Sequence, residues 1–191
     1  FLDLDDRLFT LKLTPNRADC LSLIGVAREV AAITGTGANL PVVPEVPATI
    51  ADRRPIVLDA PAACPLYCGR VLKGVDARAA TPGWMKRRLE RSGLRSISAL
   101  VDVTNYVMLE LGQPLHAFDN TKLEGAVHAR MAQPGEKLLL LNEQTITIDS
   151  DVLMIADDTK ALAMAGIMGG EESGITLATT ELFLESAFFA P

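Results

Sequence analysis

Two side chains in this sequence stand where chemistry is possible, His116 and Glu185. His116 lies in Leu111-Gly112-Gln113-Pro114-Leu115-His116-Ala117-Phe118-Asp119, which sets polar groups among apolar ones just past an expected helix end. An imidazole titrates near neutrality, so it can take up a proton or hold a water. An isolated histidine is more often structural, and that bland reading stands beside the functional one. Glu185 lies in Leu184-Glu185-Ser186-Ala187-Phe188-Phe189. A carboxylate in so apolar a stretch needs a partner or a task. Its structural role would be an ion pair, with an arginine as partner. Asp102, Thr104 and Asn105 fall inside an expected helix, where such residues are mediocre formers. Their presence points to a polar pocket or a buried hydrogen-bond network.

Other patterns carry less. Gly166-Ile167-Met168-Gly169-Gly170-Glu171-Glu172-Ser173-Gly174 is glycine-rich, but a phosphate loop wants a lysine, and Glu171 and Glu172 would repel phosphate. It reads as a tight turn between strands, or as a wall where missing side chains let a ligand come close. Cys64 and Cys68 are four apart with no second pair and no nearby histidine, too few for a zinc site, and read as small buried residues. No nucleophile elbow of the G-x-S-x-G kind occurs. His128, beside Arg130 in an expected strand, reads as a surface position. Lys86, Arg87, Arg88 and Arg91 read as a solvated helix end.

The elements that must position these groups follow from pattern and punctuation. Residues 8–13 alternate as a strand. Thr14-Pro15-Asn16-Arg17-Ala18-Asp19 is turn chemistry, with Asp19 as cap of a helix beginning near Cys20. That helix has a wide apolar face (Leu21, Ile24, Ala27, Ala31, flanked by Leu23, Val26, Val30 and Ile33), which predicts burial on more than one side, and it stops at Gly35. Residues 37–55, with Pro41, Pro44, Pro47 and Pro55, form a linker, and the main domain runs 56–191. Strands are expected at 56–58 and 66–75. Thr81-Pro82 opens a helix that buries Trp84, Met85 and Leu89 before Gly93, and Ser98 caps a second helix ending at Gly112. Short strands follow at 126–131, 137–141, 145–148, 152–156, 161–165 and 182–184. The fold class is α+β: helices near the start of the domain, then mostly antiparallel short strands, with an N-terminal strand-helix segment (1–36) from a preceding domain.

Bulk composition narrows the function. The 191 residues are 49% hydrophobic and 22% charged, enough for one sizeable core. No apolar run is long enough to span a bilayer. Phe1-Leu2-Asp3-Leu4-Asp5-Asp6 lacks the basic and apolar regions of a signal peptide. With an apolar end at Ala187–Pro191, it reads as a cut at both ends of a longer protein. Three cysteines, an odd number, fit a reducing cytosol better than a disulfide framework. A net charge of -6 disfavours broad binding to a polyphosphate, so any RNA contact must be local.

The strings Leu13–Cys20, Val101-Asp102-Val103-Thr104-Asn105-Tyr106, Glu110–Asp119, Ala161–Gly170 and Glu185–Pro191 resemble, in order and spacing, the beta subunit of bacterial phenylalanyl-tRNA synthetase. The resemblance runs through essentially the whole chain. It implies that residues 56–191 are an editing domain, truncated at its C-terminal end, that hydrolyses tRNA(Phe) mischarged with tyrosine. The family also uses a stretch beyond Pro191. The whole enzyme is implied to be a cytoplasmic α2β2 aminoacyl-tRNA synthetase that uses ATP and magnesium, with its ligation site in the alpha subunit. No cofactor or metal is implied for this part, and no membrane. The partners are the alpha subunit and the acceptor end of tRNA(Phe). By the resemblance, His116, Thr104 and Asn105 are catalytic, holding water or the terminal adenosine, and Glu185, Gly169 and Arg95 bind substrate. Arg95 would touch a phosphate or the terminal ribose; otherwise it pairs with Asp102 or Glu110. The alternative is a noncatalytic scaffold that packs on the alpha subunit and positions tRNA.

Overall fold

The computed structural model describes residues 5–191; the first four residues of the expected N-terminal segment lie outside them. The chain forms two compact units, each discontinuous in sequence. One gathers the chain up to Glu45 with Thr81–Gln113, and the other joins Val46–Ala80 to Pro114–Pro191.

The first unit is helical. A 3-10 turn at Ala18–Cys20 leads into α1 (Leu23–Thr34), and α2 (Gly83–Arg91) and α3 (Ala99–Leu111) complete it. The cap of α1 is Ser22, whose hydroxyl accepts from the Gly25 amide, and not Asp19. Asp19 is engaged instead by Arg17, which also forks onto Glu29 at 2.9 and 2.7 Å. Ser98 caps α3 as expected, and Gly35 and Gly112 end α1 and α3 in the left-handed region. α2 has no side-chain cap, because the Thr81 hydroxyl turns to Asp102.

Three further expectations for this unit are corrected. Residues 5–13 carry no regular element, because a strand is defined by a ladder partner and none pairs with them among the described residues. The apolar face of α1 is not covered: only Gly25 is buried, while Leu21, Leu23, Val30 and Ile33 are exposed. Trp84 is half exposed, packing edge-on against Tyr106 at 5.2 Å with the Arg88 guanidinium over its ring. The core here is Met85, Leu89 and Tyr106.

The second unit is built of strands: β1 (Ile56–Leu58), β2 (Leu66–Lys73), β3 (His116–Asp119), β4 (Val127–Met131), β5 (Lys137–Leu139), β6 (Thr145–Thr147), β7 (Leu153–Ala156), β8 (Ala161–Met164), β9 (Met168–Gly169) and β10 (Glu181–Phe188). A five-stranded sheet runs β1-β4-β7-β8-β9, a three-stranded sheet β2-β10-β3, and β5 pairs with β6. All pairings are antiparallel except β1 with β4. This is the α+β class that the patterning predicts. The two larger sheets share one core, with Tyr67, Phe118 and Phe183 from one meeting Val127, Ala129, Ile155 and Leu162 from the other. A smaller cluster around Leu138, Leu140, Ile148 and Met154 seals the β5–β6 hairpin. Cys64 is buried, but Cys68, next to Tyr67 on β2, is exposed, because adjacent strand residues face opposite sides.

His128 is no bare surface group. Its Nδ1 meets Asp59 at 2.8 Å and its Nε2 meets Asp158 at 2.9 Å. Hydrogen bonds to these two carboxylates, Asp158 first, hold its pKa above the ordinary value.

Candidate functional site

Strand β10 is the centre of the three-stranded sheet, and Glu185 is near its middle. Its directly opposed neighbours are Gly69 on β2 and His116 on β3. Opposed residues on antiparallel strands hold their Cβ atoms about 5 Å apart on one face. The inward face therefore reads Phe183, Glu185 and Ala187, flanked by Tyr67 and Gly69 on one side and by His116 and Phe118 on the other. The face forms because alternate residues are apolar enough to bury against the second sheet. Glu185 enters that core because its neighbours on the strand force it there.

At this depth Glu185 is buried, and its Oε2 accepts a hydrogen bond from the Tyr67 hydroxyl at 2.6 Å. The partner is thus a phenol and not the arginine expected for a structural ion pair. Burial raises the carboxyl, the Tyr67 bond lowers it, and the balance leaves it at about 7. Burial first, and then the Glu185 charge, push the Tyr67 hydroxyl up, so it remains a proton donor.

His116 Nε2 is enclosed with no hydrogen-bond partner in the structure. Burial holds the ring below its ordinary pKa, so it is neutral at pH 7. The Phe118 ring meets it edge-on at 4.5 Å. Gly169, on β9, backs the imidazole: a Cβ there would lie 2.6 Å from His116 Cε1 and 3.0 Å from Nε2. What the missing side chain at Gly169 admits is therefore a ring of the protein itself. Gly69 does the same for Phe183, whose Cζ would lie 2.1 Å from a Cβ. The structure thus brings together His116, Gly169 and Glu185, a neutral imidazole beside a carboxyl poised near neutrality. Such a pair can order a water, exchange a proton, and accept a donor from a ligand.

Arg95, Thr104 and Asn105 belong to the helical unit. The Thr104 hydroxyl donates to the Val101 carbonyl at 2.8 Å, Asn105 is half-buried, and Arg95 is exposed. Asp102 is fully buried and does not pair with Arg95. It accepts from the Ser96 and Thr81 hydroxyls, both at 2.5 Å, and from the Ile97 amide at 2.9 Å. Burial raises its pKa, but these bonds outweigh it and hold the group below the usual range. Here is the buried network that polar residues within a helix foretell. Glu110 accepts from the Tyr106 hydroxyl, which accepts in turn from Arg88. Asp19, Cys20 and Glu29 bring ligand atoms within 4.8 Å of one another, but the Arg17 guanidinium bridges all three.

Sequence reading missed Tyr67. The signal was available: a carboxylate in an apolar strand requires a donor, and the chain has only two tyrosines.

Residues 63–191 match the B3/4 domain family. The full 191 residues align at 82% identity with the phenylalanine–tRNA ligase beta subunit of Dechloromonas aromatica, and at 70% with that of Aromatoleum aromaticum. In each case they cover 24% of the relative, so the chain spans about a quarter of the length of these proteins. In fold it is similar to the crystal structure of an N-terminal fragment of the phenylalanyl-tRNA synthetase beta subunit from Pyrococcus horikoshii. The TM-score is 0.53 at 17% identity, covering 92% of this chain and 53% of that one. With a family match over most of its length and relatives aligned along all of it, the chain belongs to the B3/4 domain family and is similar throughout to the beta subunit of phenylalanine–tRNA ligase.

Proposed function

We propose that this chain is the editing portion of a phenylalanine–tRNA ligase beta subunit and hydrolyses tyrosine wrongly esterified to tRNA(Phe). The observation that carries this reading is the Glu185–His116 cross-strand pair, in which an enclosed imidazole nitrogen without a partner lies on the strand opposite a buried carboxyl held by one phenol. Tyrosine differs from phenylalanine by one hydroxyl, which a hydrophobic ligation pocket rejects only about a hundredfold. A second pocket inverts the logic. Glu185 accepts the substrate phenol, and phenylalanine would leave that acceptor desolvated and unpaired, which discriminates by about four to five orders of magnitude.

The ester is already activated. Water attacks its carbonyl carbon, the bond to the ribose oxygen breaks, and the proton lost by water reaches that oxygen. His116 orders the water and accepts its proton as a neutral base. Gly169 gives His116 its place. ATP and magnesium act in the ligation step, in the alpha subunit of a cytoplasmic α2β2 enzyme, and not in this domain. No helix among the described residues is long and apolar enough to cross a membrane.

The test is deacylation of tyrosyl-tRNA(Phe) and phenylalanyl-tRNA(Phe) by the full enzyme with His116→Ala and Glu185→Ala made separately. Both variants should lose most tyrosyl deacylation, and Glu185→Ala should also lose discrimination. Unchanged rates and selectivity in both would overturn the assignment. A second reading, a noncatalytic packing module, is favoured by the exposed apolar residues Leu21, Leu23, Val30 and Ile33 of α1, and it predicts those unchanged rates.

A further inference from the structure

We infer that Tyr67 is a positioning residue for Glu185: its hydroxyl occupies one carboxylate oxygen and turns the other toward the substrate. The inference rests on the editing function proposed above and names a residue which that reading leaves out. Tyr67 and Glu185 are diagonal neighbours on β2 and β10, since Tyr67 opposes Ala187 and Glu185 opposes Gly69. Gly69, opposite Glu185 on β2, has no side chain to offer the carboxylate, and the space over Gly69 is filled by the Phe183 ring. The carboxylate is left with one side chain within hydrogen-bond reach, the Tyr67 hydroxyl at 2.6 Å. Tyr67 is itself buried in the core between the sheets, so its ring has little freedom to swing away.

A free carboxylate on a glutamate side chain samples several rotamers, and each must be given up to bind a ligand. A buried donor on Oε2 removes that freedom in advance. The same bond favours the charged form of Glu185 against the cost of burial. Tyr67 is thus the protein's own version of the contact proposed for the substrate: one phenol held permanently on Oε2, and a second admitted at Oε1.

The experiment is made on the full-length enzyme with Tyr67→Phe, which keeps the ring in the core and removes only the hydroxyl. The expected result is a roughly tenfold or greater rise in KM for tyrosyl-tRNA(Phe) deacylation with kcat little changed, since a hydrogen bond to a charged group is at stake. The acidic limb of the kcat/KM profile should move to higher pH. Carboxyl-carbon NMR of Glu185 should show the same upward move in its titration without any substrate. Replacing Tyr67 with a fluorotyrosine, a stronger donor, should move that titration down, and it preserves the fold if the phenylalanine variant does not. An unmoved Glu185 titration in both variants would sink the inference even if the enzyme edits normally. A titration that moves as expected in a protein that never hydrolyses tyrosyl-tRNA(Phe) would sink the editing assignment alone. A lower KM in Tyr67→Phe would make Tyr67 a competitor of the substrate and would likewise overturn the inference.

Discussion

Asp102 and Glu185 are both carboxylates buried in this protein, one in each unit, and they are held in opposite ways. Asp102 receives three hydrogen bonds, from Ser96, Thr81 and the Ile97 amide, and stays ionised below its usual range. Glu185 receives one, from Tyr67, and rises to about 7. A full set of donors makes a buried charge part of the scaffold; a partial set leaves it able to change protonation or accept a ligand. The two histidines repeat the contrast. His128 has a carboxylate on each nitrogen, while His116 has an enclosed nitrogen with nothing on it.

The comparison can be broken in four places. The largest effect belongs to Asp102→Ala, which strands the donors of Ser96, Thr81 and Ile97 and should cost on the order of 4 kcal/mol by denaturant unfolding. A loss under about 1 kcal/mol would mean that the network is not structural.

Glu185→Gln should do the reverse, and only at high pH. A folded-state pKa raised from 4.5 to about 7 means that the native protein binds more protons than the unfolded chain across that window. Wild-type stability therefore falls as pH rises from about 4.5 through 7. The variant lacks this fall, so it should exceed wild type by on the order of 3 kcal/mol at pH 8 and match it at pH 4. Parallel stability profiles would show that Glu185 is no more perturbed than a surface carboxylate.

Gly169→Ala comes next. The new methyl would sit 2.6 Å from His116 Cε1, so the imidazole must move. Tyrosyl-tRNA(Phe) deacylation should drop by on the order of tenfold through kcat, with the melting temperature nearly kept. Full activity would mean that the placement of His116 is unimportant.

The smallest effect is at His128. Its folded pKa is raised, so its contribution is fully present below the unfolded value of 6.5 and lost as pH rises through the folded one. His128→Gln should lower stability by under about 1 kcal/mol at pH 5.5, because Asp59 and Asp158 are about half exposed, and should be neutral at pH 9. A larger loss at pH 9 than at pH 5.5 would reverse the assignment.

Much of this was legible in the residues themselves. The short apolar runs at 153–156 and 161–164, the stops at Gly35 and Gly112 and the cap at Ser98 are local signals, and local signals are what a sequence carries openly. The short strands at 116–119 and 168–169 were not foreseen, because two to four residues make a strand only when a partner is alongside. The strand expected at 8–13 shows the converse, a suitable pattern without a ladder. For the candidate site, Glu185 and His116 stood out as polar groups in apolar surroundings, whereas Tyr67, which resembles any core aromatic, did not.

The sequence by itself determined the helices after Ser22, Pro82 and Ser98 and most of the strands, that a carboxylate and an imidazole lie in apolar stretches, and that the helix after Ser98 carries polar groups in need of partners. These follow from periodicity, capping and the cost of burying polar groups, which act over a few residues. Only the tertiary structure decided that Glu185 opposes His116, that Tyr67 satisfies one oxygen of Glu185, and that α2 and α3 group with α1 across the intervening strands. The reason is register. Pairing β10 with β2 and β3 places residues more than 60 positions apart on one face, and a one-residue slip would turn Glu185 to the opposite face of its sheet.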